Sequence, residues 1–108
     1  MAYYLIQAAY LPEAWAAMVK NPQSRAAAIK PVIEKLGGSI KGHWWAFGEY
    51  DVVVILDMPD NVSAAAFSLA VSASGAVRAF KTTPLMTPEE GTEAMQKAGE
   101  AGYKPPRG

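Results

Sequence analysis

Cysteine is absent from this chain, and histidine occurs once, as His43. Without a thiol there is no disulfide, no thiolate nucleophile and no zinc site that relies on Cys. Runs of like charge are missing as well. Ten Lys and Arg balance ten Asp and Glu over 108 residues, and no segment gathers the basic ones. Binding to phosphate backbones or to anionic lipid needs a concentrated basic surface, so neither nucleic acid nor a membrane is expected as a partner. Apolar runs stay far below the roughly 18 residues that cross a bilayer. The first residues, Met1-Ala2-Tyr3-Tyr4-Leu5-Ile6, lack the basic opening of a signal peptide and soon meet Gln7. They read as a first strand, and a cytoplasmic location is the expectation. No phosphate-binding loop and no credible Ser-His-Asp order occurs, since Gly37-Gly38 only stops a helix.

What is present is the make-up of one folded domain: 51% of the residues are apolar and 19% are charged. A domain this small buries a modest share of its surface, so association would add to its stability.

Along the chain, residues 2–10 are rich in Tyr, Leu and Ile without turn residues and predict a strand. Pro12 suits the first turn of a helix, where its missing N–H would be unpaired anyway. Asn21-Pro22 repeats that signal, and a second helical segment is predicted over 22–36. There Ile29, Val32, Ile33 and Leu36 share one face, and Gly37-Gly38 ends the run. Pro31 removes a helix hydrogen bond and predicts a kink. Two β-rich runs, 39–47 and 50–58, flank Gly48-Glu49, which suits a two-residue type II′ hairpin turn. That turn would pair Phe47 with Tyr50, Trp45 with Val52, His43 with Val54 and Lys41 with Leu56. Asp60 caps a helix over 61–74, Gly75 closes it, and a fourth strand follows at 76–83. Thr87-Pro88-Glu89-Glu90 starts a last helix through a capping box. The end, 103–108, reads as a tail.

The order strand, helix, strand, strand, helix, strand predicts an α+β fold of the ferredoxin-like βαββαβ type. Its four-stranded antiparallel sheet would carry the helices on one face, with a C-terminal helix appended. The domain would span residues 1–86, and the helix and tail 87–108. Val52-Val53-Val54-Ile55-Leu56 is apolar on both faces, whereas a sheet with one wet face should alternate. Helices cover one face only in this topology. The second face is expected to be covered by the same sheet of another copy, giving a homodimer or a higher homo-oligomer.

Gly48-Glu49-Tyr50-Asp51-Val52-Val53-Val54-Ile55 followed by Pro59-Asp60 resembles the GYD domain family, named for a Gly-x-Tyr-Asp stretch. Arg25, Gly37-Gly38, Gly75-Ala76-Val77-Arg78 and Thr82-Thr83 fit the same resemblance, which covers residues 3–85. It implies a ferredoxin-like, dimeric α+β barrel and a bacterial or archaeal origin, and it implies no activity. Similar dimeric barrels host cofactor-independent monooxygenases, isomerases and haem enzymes, but a fold does not fix a function.

His43 is the one side chain whose ordinary pKa lies near neutrality. By type it suits a general base or a haem ligand, against the blander reading of a structural or surface histidine. No second ligand stands at a metal-site spacing, so no metal and no cofactor is expected. Trp44 and Trp45 must point to opposite faces of their strand. On the predicted register Trp45 shares a face with His43, Phe47, Tyr50 and Val52, an aromatic wall of the kind that small-molecule sites use. Asp51 could supply an acid, or could hold Arg78 or a backbone amide beside the turn. His43, Trp45, Tyr50 and Asp51 are therefore the candidate ligand site. With no catalytic constellation in the sequence, the expected function is small-molecule binding or regulation by a homo-oligomeric barrel. A small cofactor-independent enzyme of the monooxygenase or isomerase kind is the alternative.

Overall fold

Alternation of buried and open side chains sets the architecture. In the computed structural model, which describes residues 2–106, Val52, Val54, Leu56 and Met58 of one strand are all buried, and Val53, Ile55 and Asp57 between them are half-open. Met1, and Arg107 and Gly108 of the expected tail, lie outside the described residues. The elements run β1 (Ala2–Tyr10), α1 (Pro12–Lys20), α2 (Arg25–Lys35), β2 (Ser39–Trp45), β3 (Val52–Met58), α3 (Asn61–Ala73), β4 (Val77–Pro84) and α4 (Pro88–Glu100). The sheet order is β2-β3-β1-β4 with every pairing antiparallel. This is the expected α+β, ferredoxin-like arrangement, with the extra helix α1 inserted after β1.

The register puts Tyr4, Ile6 and Ala8 of β1 opposite Leu56, Val54 and Val52, so these side chains share one face. Ile33 from α2 and Ala64 and Phe67 from α3 complete the buried cluster on that side. Two polar contacts fix the helix layer to the sheet. The Tyr4 hydroxyl donates to Asn61 Oδ1 in the first turn of α3, and the Ser68 and Thr82 hydroxyls lie 2.7 Å apart. Asp60 caps α3 by accepting from the Ser63 amide at 2.8 Å, and this bond holds its carboxyl below the ordinary pKa of an aspartate. The Thr87–Glu90 capping box starts α4 in both directions.

Three local expectations need correction. The β2–β3 connection is not a two-residue turn: the strands stop at Trp45 and resume at Val52, leaving residues 46–51 as a loop closed by the Ala46 amide on the Asp51 carbonyl. Gly48 takes φ +147°, far from the roughly +60° of a type II′ first position. Second, Lys41 does not face Leu56. A bulge between Ile40 and Gly42 leaves Lys41 unpaired, so Ile40 takes that place while His43 still faces Val54. The bulge has a purpose that packing explains, because without it Ile40 would turn away from the core. Third, α2 starts at Arg25 behind a Ser24 cap and not at Pro22; it runs through Pro31, as the predicted span does.

The opposite face of the sheet carries Tyr3, Leu5, Gln7, Val53, Ile55, Asp57, Lys81, Thr83 and Trp44, and neither α2 nor α3 lies on it. Trp44 lies over Gly42, at which a Cβ would stand 2.3 Å from the indole ring. Residues 88–106 are exposed except for the half-buried Gly91. The radius of gyration is accordingly 17.4 Å, against about 13 Å for a compact chain of this length.

Gly38, between α2 and β2, gives a test of how tightly the layers close. A Cβ there would lie 2.3 Å from Met58 Sδ and 2.7 Å from the Asp57 carbonyl oxygen. The carbonyl cannot move without the strand, so Gly38→Ala should destabilise by about 1–3 kcal/mol through overpacking. Gly42→Ala should cost less, because the Trp44 ring can swing into solvent. Urea denaturation of both variants measures the difference.

Candidate functional site

Between the sheet and the helix pair lies a cavity of about 220 Å³. Its floor is Ile6, Ala8, Val52 and Val54 of the central strands, and its exposed rim is Ala28 and Val32 of α2 with Ala70 and Ser74 of α3. Alanines at 8, 28, 70 and 76 line it where larger side chains would close it. The walls are apolar apart from four residues, Tyr10, Arg25, His43 and Ser74, and no carboxylate is among them.

His43 reaches the cavity because β2 presents it on the same face as Val54. Its Nε2 is shielded from solvent and finds no hydrogen-bond partner among the described residues. Burial lowers its pKa from the ordinary value, and the guanidinium of Arg25 lowers it further, so the imidazole is neutral at pH 7. Arg25 enters from the first turn of α2, directly after the Ser24 cap. Its Nε is likewise shielded and unpartnered, and no acidic side chain pairs with it among the described residues.

Trp45 stacks beside this cavity without lining it. Its ring centroid lies 6.2 Å from His43, 6.2 Å from Tyr10 and 5.6 Å from Trp15. Trp15 in turn meets Tyr10 edge-on at 5.7 Å. The four rings form a wall at the end of the cavity where α1 joins the sheet.

Asp51 is in that neighbourhood but works on the other side of the wall. Its Oδ2 accepts from the Tyr10 amide at 2.8 Å and from the Trp15 indole at 3.2 Å. It thereby ties the end of β1 and the helix α1 to the β2–β3 loop. Arg78 donates to the Glu49 carbonyl instead, at 3.1 Å. Asp51 lines a separate surface groove with Trp15, Val19 and Arg78. Tyr50 is half-buried in the loop and does not line the cavity. Phe47, expected on the same wall, is fully exposed. Of the four candidate residues, the cavity thus takes His43 as a lining group and Trp45 as its support, while Tyr50 and Asp51 sit apart.

Sequence reasoning missed Arg25, Tyr10 and Ser74 as lining residues. For Arg25 a signal existed. A cation in the first turn of a helix opposes the macrodipole, so an arginine placed there, with no acidic residue in that turn to offset it, calls for another reason.

The Asp51 contacts yield a direct expectation. Asp51→Ala should cost about 1.5–3 kcal/mol, the worth of hydrogen bonds to a charged acceptor, and should free Trp15. Denaturant titration gives the first quantity. A red shift of tryptophan emission, absent in an Asp51→Ala/Trp15→Phe double variant, reports the second.

Among the described residues no cluster of three or more His, Asp or Glu could hold a metal ion, and no helix is long and apolar enough to cross a membrane. No curated protein matches the chain in sequence. The sequence model of the GYD domain matches residues 4–95, from β1 through the first half of α4. With the ferredoxin-like sheet and the Gly-Glu-Tyr-Asp loop in place, the chain belongs to the GYD domain family.

Proposed function

We propose that this protein binds a small, largely apolar molecule in the cavity beside His43, and that it does so as a homodimer joined across the open face of its sheet. One observation carries the binding reading: a space of about 220 Å³ with apolar walls and a few converging polar groups, which is how small-molecule sites are built. Apolar cavities of about 150 Å³ stay dry and take up benzene, so this one has room for a ring and a substituent.

The dimer reading rests on the exposed side of β3 and its neighbours. Val53, Ile55 and Leu5 stand together with Tyr3 and Trp44, which are 41% and 56% exposed. Burying each such side chain contributes about 1.5–3 kcal/mol.

A second reading, a small cofactor-independent enzyme, is favoured by the neutral His43 imidazole with a free Nε2 in an apolar site, which suits proton abstraction. Binding without turnover is preferred because no hydrogen bond from another side chain orients that imidazole among the described residues.

Toluene is the neutral probe for the cavity. Chemical-shift perturbation should centre on Ile29, Val54 and Phe67, and Ala70→Phe, which fills the mouth from the exposed side of α3, should abolish it. Shifts elsewhere, or shifts that survive Ala70→Phe, count against the cavity. For assembly, sedimentation should give a dimer of the 11.5 kDa chain. Val53→Lys should yield a folded monomer, whereas Val54→Lys should unfold the subunit, since it places an unpaired charge in the core.

A further inference from the structure

Arg25 and His43 line the same apolar cavity from different elements, and each holds a shielded nitrogen with no hydrogen-bond partner among the described residues. Arg25 Nε comes from α2 and His43 Nε2 from β2; both are closed off from solvent. Leaving a buried donor unpaired is costly, and more so for a charged one. Proteins rarely keep two such groups together without something to satisfy them. Among the described residues Arg25 also has no counter-charge. The remaining ionisable group on the cavity wall is Tyr10 from β1; β3, α3 and β4 contribute Val52, Val54, Phe67, Ala70, Val71, Ser74, Val77 and Phe80, none of which titrates. An excess of positive charge and of N–H groups, with no acid, is the complement of an oxyanion.

We propose that the cavity takes a small monoanionic acid of about benzoate size, its carboxylate held by the Arg25 guanidinium and the His43 imidazole and its apolar body against Ile6, Val54 and Phe67. The proposal deepens the binding reading above and rests on it. Arginine donors to a carboxylate form short, charge-assisted bonds, and the low-dielectric surroundings strengthen them. The size follows from the volume, which exceeds by about half the 150 Å³ that holds benzene. Phenolates and other compact oxyanions share the recognised chemistry, and the carboxylate is the form that the test uses.

Anion binding would also reset His43. In the free protein the imidazole is held neutral by burial and by Arg25. A carboxylate beside the imidazole favours the imidazolium and partly cancels the Arg25 charge. The complex therefore takes up a proton that the free protein lacks, and by linkage affinity rises as pH falls toward 6.

Isothermal titration with benzoate and with its neutral counterpart benzamide tests the inference on the full chain. At pH 7 benzoate should bind at least about tenfold more tightly, the worth of one charge-assisted bond. Its affinity should rise from pH 8 to pH 6, with proton uptake seen as a dependence on buffer ionisation heat, while benzamide stays flat. Arg25→Gln should erase the preference, bringing benzoate to the affinity that benzamide has for the same variant; His43→Gln should erase the pH dependence. Equal binding of acid and amide, or a preference that survives Arg25→Gln, overturns the anion assignment and leaves the cavity standing. If neither compound nor toluene binds the folded protein, the cavity reading falls and this inference falls with it.

Discussion

Strand β3 lies inside the sheet, hydrogen-bonded to β2 on one side and β1 on the other, and its side chains have to satisfy two faces at once. Val52, Val54, Leu56 and Met58 go under the helices and are buried. Because strand side chains alternate, Val53 and Ile55 are committed to the opposite face by the same act. The ferredoxin-like connection places α2 and α3 on the first face only, so the apolar side chains of the second face remain without a helix above them. The helix layer, the cavity beneath it and the open surface behind it all descend from this one strand.

On the helix side, packing is tightest at the Met58 end and loosest at the Val52 end. Gly38 lets α2 and β2 close against Met58 with no space for a Cβ. At the other end, alanines at 8, 28, 70 and 76 leave the helices and the sheet apart. The rings of Tyr10, Trp15 and Trp45 brace that end, held by the Asp51 carboxylate. A rigid wall beside a space lined by small residues keeps the space from collapsing, which ordinary core packing would favour. His43 and Arg25 enter from opposite layers, so the site exists only when the sheet and α2 are assembled.

The carboxylate of Asp51 shows how a recognisable motif can serve architecture. The Gly-Glu-Tyr-Asp segment marks the family, yet its aspartate ties down a backbone amide and an indole, and its tyrosine sits outside the cavity. What the segment supplies is the loop geometry that lets β1, α1 and β3 meet. The chemistry available to a ligand lies one layer away, on residues that the motif does not contain.

Periodicity and caps in the sequence were sufficient for the elements: the four strands, the helix starts at Pro12, Asp60 and Thr87, and the stops at Gly37 and Gly75 are all local signals. The facing of His43 with Val54 and of Trp45 with Val52 was also legible, because alternation carries a residue's face along a strand. The Lys41 bulge and the six-residue loop were not, since both depend on whether Ile40 and Tyr50 gain more from a shifted register than from a regular one. That balance is set by the neighbours across the sheet. The meeting of Arg25 and His43 at one cavity likewise had no local sign of its own: they lie 18 residues apart in sequence, on two different elements. Sequence by itself determined which elements form and which face each strand residue takes, because those follow from interactions a few residues apart. Only the tertiary structure decided which polar groups share a cavity, because that depends on how separate layers pack.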